Sequence, residues 1–298
     1  MDDALAQSSG LRWEPRVPDQ RSEFDIAPAG SGMTAIAYGH GPVVVCIHGA
    51  LGDYRQWDSI GSALRRNFRV VALSRRQHWP AQPSASAAAY SVESHRDDLF
   101  VLLRSIGERV HLVGHSYGAL VALSAALTDP TLLRSLIVIE PPLHGLLTAA
   151  TIGLDAELAS RGAMVATMRS QIRAGDDRGA SVTLIDWVQS GAGGFAALPE
   201  KHRAQLLDNA ATIGPTYATP PPPLACAQLR DVVVPTLVLS GAHTRLFYGL
   251  AADATAVCIP RARAAKIPDA GHMAIIDNPR ATADAIRAFA SGIDDARP

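Results

Sequence analysis

The stretch HLVGHSYGALVAL, residues 111–123, decides the fold. It begins as an apolar run typical of a buried strand, continues through GHSYG and ends in an alanine- and leucine-rich helical pattern. GHSYG fits the pattern G-x-S-x-G, in which a serine lies on a sharp turn from a strand into a helix. The glycines leave room for that turn, which forces its central residue into strained backbone. We therefore expect Ser116 Oγ to project at the carboxyl edge of a sheet, near the positive end of a helix.

The chain around this stretch alternates between apolar runs and helical patterns. The runs PVVVCIHG, RVVALS, VHLVGHS, RSLIVIEPP, VPTLVLSGA and AAKIPDAGH predict strands. Strands that are apolar on both faces are typical of a parallel sheet covered by helices. WDSIGSALRRN and YSVESHRDDLFVLLRSI have helical spacing and separate the first strands. The sequence thus predicts an α/β fold with a mostly parallel central sheet flanked by helices.

Two segments depart from this alternation. Residues 1–30 are polar with scattered prolines, which predicts an extended arm or a short edge hairpin. Residues 144–223 carry helical patterns, the flexible sequence SGAGG and the tract TPPPP, which fits a stiff linker better than a partner-binding polyproline ligand. We predict a core of residues 31–143 and 224–298, with residues 144–223 inserted as a helical cap, or lid.

Composition limits the classes of partner. The chain has 298 residues, a formal net charge of −1 and no long run of one sign, so we expect a small-molecule substrate and no nucleic acid. The sequence MDDALAQSSG lacks the features of a signal peptide, and no stretch reaches about 18 apolar residues, so we expect a cytoplasmic protein without a membrane span. Three cysteines without metal-type spacing favour reduced thiols over a disulfide framework. A monomer and a homodimer both remain open.

A serine hydroxyl needs a base to become nucleophilic, and several histidines compete for that role. His272 lies in DAGH, between a predicted strand and the closing helix, which places it at the same sheet edge as Ser116. His115 is next to the serine, but its side chain is expected to point away from the turn. His78 follows the second strand and fits either the mouth of a pocket or a supporting position. His272 is therefore the predicted base.

The sequence IHGALG suggests a different task for His48, which is to hold a glycine-rich turn at the end of a strand. The backbone N–H groups of Ala50 and Tyr117 would then face the nucleophile. Such a pair forms an oxyanion hole, in which each donor contributes roughly 2.7–4 kcal/mol to stabilising the developing negative charge.

The ordered set HGALG, GHSYG, PTLVLSG and DAGH resembles the α/β-hydrolase superfamily over most of the chain, with a helical cap inserted after the strand SLIVIE. The resemblance implies a catalytic triad that runs serine, acid, histidine along the chain. In such a triad the acid fixes the tautomer of the histidine and stabilises its charged form.

One position departs from the pattern of the superfamily. In most relatives an aspartate follows the strand TLVLSG within a few residues, whereas Thr244 occupies that region here. A neutral hydroxyl can accept a hydrogen bond from a histidine but stabilises an imidazolium far less than a carboxylate does. Glu140 follows the preceding strand, 24 residues after Ser116. That spacing is similar to the one in haloalkane dehalogenases and fungal resorcylic-lactone hydrolases that take their acid from this strand. Glu140 is the predicted acid. Asp269, three residues before His272, is the next candidate, but its position fits a role in shaping the turn better than a role as the acid.

A serine at the turn excludes chemistry that begins with attack by an aspartate. The remaining scheme is an acyl-enzyme mechanism, which fits the cleavage of esters, lactones, amides and the carbon–carbon bond of a diketone, and requires neither a metal nor an organic cofactor. We expect a serine hydrolase that cleaves a carboxylic ester or lactone of a small apolar substrate. The alternatives are a carbon–carbon bond hydrolase and a non-catalytic small-molecule receptor on the same fold.

Overall fold

The computed structural model describes residues 33–81, 90–147, 152–190, 194–219 and 223–295, together with the backbone of residues 22–25. The predictions for the other residues of 1–30, for the middle of SGAGG and for most of TPPPP lie outside the described residues.

Eight strands form one sheet in the order β1-β2-β4-β3-β5-β6-β7-β8. Its six strands from β3 to β8 run parallel and confirm the six predicted strands, while β1 and β2 pair antiparallel with each other and β2 pairs antiparallel with β4. The strands are β1 Ser22–Asp25, β2 Thr34–Tyr38, β3 Val43–Ile47, β4 Arg69–Ser74, β5 Val110–His115, β6 Leu133–Ile139, β7 Thr236–Gly241 and β8 Ala262–Ile267.

Helices cover the sheet and fill the connection between β6 and β7. They are α1 Asp58–Leu64, α2 Val92–Ile106, α3 Tyr117–Thr128, α4 Leu154–Arg173, α5 Asp177–Val188, α6 Gly194–Ala197, α7 Glu200–Asp208, α8 Ile213–Ala218, α9 Cys226–Leu229, α10 Leu246–Cys258, α11 Ala274–Asp277 and α12 Pro279–Asp294. Short 3₁₀ turns lie at Tyr54–Trp57, Pro130–Leu132, His144–Leu146 and Ala210–Thr212.

Strand β3 illustrates why the sheet needs cover on both faces. Val43, Val45 and Ile47 pack in one apolar cluster with α2 and α3, whereas Val44 and Cys46 pack in another with α1 and α12. Alternate residues of a strand point to opposite faces, so an unbroken apolar run buries both. The same arrangement leaves the loops after the parallel strands to gather at the carboxyl edge of the sheet.

Helices α4, α5, α7 and α8 lie against that edge. Their apolar side chains share a third cluster with Leu51, in the loop after β3, and Met273, in the loop after β8. Within this cluster Met168 of α4 and Ile213 of α8 are fully buried. The helical patterns predicted in residues 144–223 therefore correspond to helices, whereas their role as a lid stays a prediction.

The expectation of reduced thiols was wrong for two of the three cysteines. Cys226 at the start of α9 and Cys258 at the end of α10 form a disulfide, and Cys46 is free and buried in β3. The two bonded residues are 32 positions apart in sequence, but their helices bring the Cα atoms to 5.1 Å, within the range that a disulfide spans. Spacing in the sequence does not reveal this contact. In the described part of the chain, no helix has the length and apolar character needed to cross a membrane.

Candidate active site

The turn between β5 and α3 has the strained backbone that its sequence predicts. Ser116 adopts φ 51° and ψ −117°, and its backbone N–H donates to the carbonyl oxygen of Ile139 in β6 (2.8 Å). A Cβ atom on Gly114 would lie 2.3 Å from the carbonyl oxygen of Gly118, and a Cβ atom on Gly118 would lie 2.4 Å from that of Ile47. Both glycines are therefore required because the start of α3 crosses so close to the strands. Backbone strain of this kind costs about 1–3 kcal/mol and is typical of functional sites.

The structure brings together Ser116, His272 and Glu140, the three residues that the sequence predicts as a triad. His272 Nε2 lies 3.1 Å from Ser116 Oγ, and His272 Nδ1 lies 3.1 Å from Glu140 Oε2. A carboxylate only accepts, so Nδ1 carries the proton and donates to Glu140. Nε2 is then free to accept the hydrogen bond from the serine hydroxyl. This is the geometry in which an imidazole removes a proton from serine.

Three donors hold the carboxylate of Glu140, which is fully buried at the end of β6. The backbone N–H of Gly241 donates to Oε1 (2.6 Å), and the hydroxyl of Thr244 and Nδ1 of His272 both donate to Oε2 (2.7 and 3.1 Å). Thr244 does not take the place of the acid, because its hydroxyl donates to Glu140 and Glu140 accepts the hydrogen bond from His272. Asp269 lies exposed in the turn after β8 with φ 52°, and no hydrogen bond joins it to His272.

The ring of His272 is enclosed between two other rings. The ring of Tyr248 lies 3.8 Å away and that of His115 lies 5.2 Å away, measured between centroids. The expectation that His115 points away from the turn was wrong, because its Nε2–H donates to the carbonyl oxygen of His272 (2.8 Å). His115 is the last residue of β5, and its side chain contacts the loop after β8, which is far away along the chain. Burial, followed by the charge of His272, lowers the pKa of His115 to about 3, so His115 is neutral at ordinary pH.

The two predicted oxyanion donors, Ala50 and Tyr117, both line the cavity beside Ser116. Among the described residues, neither backbone N–H donates to another group. His48 holds the turn before Ala50, since its Nδ1–H donates to the carbonyl oxygen of Gly49 (2.8 Å) and its Nε2 accepts the backbone N–H of Arg75 (3.0 Å). The turn thus leaves the Ala50 amide available to a ligand.

Arg75, which the sequence analysis did not single out, also holds the turn at Gly49 and Ala50. Arg75 is 1% exposed, and its guanidinium donates to the carbonyl oxygen of Gly49 (3.0 Å) and lies 4.6 Å from the ring centre of Tyr117. No carboxylate of the described residues pairs with it. Its other partners, the ring of His95 and the hydroxyl of Tyr90, are neutral. An unneutralised positive charge therefore acts on the Gly49–Ala50 peptide and strengthens the Ala50 N–H as a donor.

The histidines around Arg75 are neutral. Burial first, and the Arg75 charge second, lower the pKa of His48, His78 and His95 well below the usual range. His78 is fully buried, donates from Nδ1 to the carbonyl oxygen of Gly52 (2.6 Å) and accepts the hydroxyl of Tyr90 at Nε2 (2.8 Å). Of the two positions considered for His78, the structure shows the supporting one and not the mouth of a pocket.

Residues 44–285 match the sequence profile described as the alpha/beta hydrolase family. The chain belongs to the alpha/beta hydrolase family. The resemblance inferred from the ordered motifs, and the fold that it implies, are thereby confirmed.

Three similar proteins accompany this match. An uncharacterized hydrolase of Bacillus subtilis (strain 168) is 31% identical over 110 residues, which cover 37% of this chain and only 41% of that protein. A 2-succinyl-6-hydroxy-2,4-cyclohexadiene-1-carboxylate synthase of Serratia proteamaculans (strain 568) is 29% identical over 272 residues, covering 83% of this chain and 92% of that protein. The crystal structure of a carboxylesterase from Bacillus subtilis has the same fold, with a TM-score of 0.72, 19% identity and coverage of 92% of this chain and 93% of that one.

A cavity of about 270 Å³ in this alpha/beta hydrolase opens onto Ser116 and His272. The wall that α4 and α5 contribute is mostly apolar. No aspartate or glutamate is among the described residues that line the cavity, and within the described ranges no three histidine, cysteine or acidic side chains converge as metal ligands. The apolar lining includes Met164, Val165, Leu184, Ile185, Trp187, Val188 and Phe247.

Proposed function

We propose that this member of the family is a serine hydrolase that cleaves carboxylic esters or lactones of small, largely apolar substrates. The observation that carries the proposal is the unbroken chain of hydrogen bonds from Ser116 Oγ through His272 to Glu140. Family membership and the fold shared with a carboxylesterase are compatible with this chemistry.

In the first half of the reaction, Ser116 Oγ attacks the substrate carbonyl carbon while His272 Nε2 takes the hydroxyl proton. Glu140 accepts the Nδ1–H hydrogen bond and balances the charge of the imidazolium. The backbone N–H groups of Ala50 and Tyr117 donate to the carbonyl oxygen as it becomes an oxyanion. When the ester C–O bond breaks, His272 returns the proton to the departing oxygen, which leaves as an alcohol.

In the second half, water attacks the acyl group on Ser116, and His272 takes one proton from that water. The tetrahedral intermediate then expels the serine oxygen, which recovers its proton from His272. The products are a carboxylic acid and the free enzyme. With a lactone, the leaving alcohol stays attached to the acyl chain, so a single hydroxy acid is released.

The helices of residues 154–218 act in this proposal as a lid that sets selectivity. Met164 and Trp187 bring apolar surface to the wall opposite the sheet edge. A wall of this kind discriminates acyl groups by size because each buried methylene contributes about 0.8 kcal/mol. Met164→Ala should therefore move the preferred acyl chain toward longer homologues, and an unchanged preference would contradict a lid role for this wall.

The test uses the purified full chain with 4-nitrophenyl esters of increasing acyl length, a set of lactones, an aryl β-diketone and a fluorophosphonate probe. We expect turnover of esters or lactones, and a covalent phosphonyl adduct on the peptide that contains Ser116, detected by mass spectrometry and absent in Ser116→Ala. If the protein cleaves only the diketone, it is a carbon–carbon bond hydrolase. If it turns over nothing and takes no label, it is not a serine hydrolase.

A further inference from the structure

Three polar side chains in the lining of the cavity form no hydrogen bond or ion pair with the residues that the structure describes. Arg161 of α4, Tyr217 of α8 and Tyr248 of α10 all line the cavity. Among the described residues, no hydrogen bond or ion pair engages the guanidinium of Arg161 or either phenol hydroxyl. These are one positive charge and two hydroxyl donors, and a second arginine, Arg169, lines the same cavity among mostly apolar side chains.

The three groups lie near one another. The guanidinium of Arg161 lies 5.3 Å from the ring centre of Phe247, whose ring in turn lies 4.9 Å from that of Tyr248. Burial raises the pKa of Tyr217 to about 12, and the positive charge of Arg161 opposes that rise. Burial also raises the pKa of Tyr248 well above its usual range, again against Arg161. Both phenols are therefore protonated and able to donate.

The charge of Arg161 is not neutralised by its surroundings. The glutamate nearest along α4, Glu157, is engaged by Arg245, with both guanidinium contacts at 2.7 Å. The absence of acidic side chains from the cavity lining leaves this charge to a ligand. A positive charge in a partly enclosed cavity attracts an anion more strongly than the same charge in bulk water, because the dielectric constant around it is lower.

We propose that the substrate of this hydrolase carries a carboxylate, which binds to Arg161 and the hydroxyls of Tyr217 and Tyr248 while its ester or lactone group lies at Ser116. A planar guanidinium forms two parallel hydrogen bonds to a carboxylate, and the phenols satisfy its remaining lone pairs. Arg161 is partly buried, and Arg169 adds a second positive charge to the lining, so the cavity favours an anion. The ring of Tyr248 contacts the ring of His272, so the carboxylate subsite adjoins the reacting centre and the two ends of one small molecule reach both.

This inference rests on the proposed function, and its test separates the two. Two matched ester pairs are compared, one with a carboxylate or a methyl group at the end of the acyl chain, and one with a carboxylate or a methyl group on the alcohol. We expect the enzyme to favour the anionic member of at least one pair by about 10- to 100-fold in kcat/KM, the range expected for hydrogen bonds to a charged group. Arg161→Met should abolish this preference, measured as the ratio of kcat/KM between the anionic and the neutral member of each pair.

Two further variants sharpen the result. Tyr217→Phe should reduce the same ratio of kcat/KM several-fold, because it removes one donor and keeps the ring. Arg173→Met, at the exposed end of α4 and outside the cavity lining, is the matched control and should behave as the parent. The proposal is overturned if neither anionic ester is preferred, or if Arg161→Met and Arg173→Met have the same selectivity.

A measurement without turnover keeps the two proposals distinguishable. Adipate and its neutral diamide are added to Ser116→Ala, and thermal unfolding is followed. We expect adipate alone to raise the Tm, and Arg161→Met in the same background to lose that rise. If no ester is cleaved but adipate still stabilises through Arg161, the proposed function fails and the carboxylate subsite stands. If esters are cleaved and adipate has no effect, only the subsite fails.

Discussion

The sheet edge and the helices that lie against it contribute two different kinds of polar surface to one cavity. At the sheet edge, Ser116, His272 and Glu140 bond to one another and to the backbone that follows the strands. On the side of the helices, the guanidinium of Arg161 and the hydroxyl of Tyr217 form no hydrogen bond or ion pair among the described residues. The reactive half is assembled before any ligand arrives, whereas the binding half is completed only by a ligand. Changes at the sheet edge should therefore affect every substrate, and changes in the lid should affect selected ones.

The largest effect expected at the sheet edge is that of Ser116→Ala. It removes the nucleophile, so kcat should fall by several orders of magnitude for esters with and without a carboxylate. The free energy of unfolding should change little, because alanine keeps the Cβ atom and the same backbone and only a hydroxyl at the cavity wall is lost. Steady-state kinetics and urea unfolding measure the two quantities.

Ser124→Ala is the matched control, since Ser124 lies on α3 away from the cavity and is also partly buried. It should keep the activity of the parent. Hydrolysis by Ser116→Ala at a rate close to that of the parent would falsify the assignment of the nucleophile.

Glu140→Gln should have the next largest effect. The amide retains the shape of the side chain but cannot balance a charged His272, and it brings an N–H group toward Nδ1–H. By analogy with amide replacements in other triads, kcat should fall by up to about four orders of magnitude. The loss should be equal for neutral and anionic esters if the sheet edge serves all substrates.

Asp269→Asn provides the comparison for this variant, because Asp269 was the other candidate acid and asparagine also tolerates its positive φ. We expect no change in kcat. An enzyme that loses its activity with Asp269→Asn and retains it with Glu140→Gln would show that the acid was assigned to the wrong residue.

The cluster of neutral histidines behind the sheet edge predicts a pH dependence of stability. The pKa of His48, His78, His95 and His115 is lowered, chiefly by burial, whereas in the unfolded chain each is near 6.5. As pH falls below about 6.5, the unfolded chain takes up protons that the folded chain does not, so the free energy of unfolding falls. Each such histidine contributes up to about 1.4 kcal/mol per pH unit.

Urea unfolding at several pH values between 7.5 and 5 measures this slope. His78→Gln preserves a donor and an acceptor but takes up no proton, so it should flatten the slope by up to about 1.4 kcal/mol per pH unit. His40→Gln, at an exposed position, should leave it unchanged. Identical slopes in all three proteins would mean that His78 does not become protonated on unfolding in this range.

The sequence predicts the sheet edge well because its residues are tied to strand ends. Ser116 follows β5, Glu140 follows β6 and the loop of His272 follows β8, and parallel strands bring their carboxyl ends to one edge. Recognising the strands was therefore enough to bring these residues together. The order of the motifs along the chain then separated His272 from the other histidines.

Contacts between distant segments were not predictable in the same way. The direction of His115 depends on where the loop after β8 returns, and the Cys226–Cys258 bond depends on how α9 and α10 meet. Arg75 is one of two adjacent arginines after β4, and nothing in SRRQ indicates which one is buried. Arg161 is one of several charged residues on α4, and nothing in the sequence indicates which of them lines the cavity. Only the packing of the helix in the fold shows its position.

Thr244→Val tests the smallest expected effect at the sheet edge. It removes the hydroxyl that donates to Glu140 Oε2 and keeps the size of the side chain, while Gly241 still holds Oε1. One lost hydrogen bond to a charged group predicts a fall in kcat of about tenfold, about three orders of magnitude less than Glu140→Gln. KM should not change, because Thr244 is absent from the cavity lining. Thr244→Ser restores the hydroxyl and should recover the rate of the parent, which a purely steric role of the threonine would not explain. If Thr244→Val instead lowers kcat as much as Glu140→Gln does, the backbone N–H of Gly241 alone cannot hold the carboxylate in place. The Thr244 hydroxyl would then be required for Glu140 to orient His272.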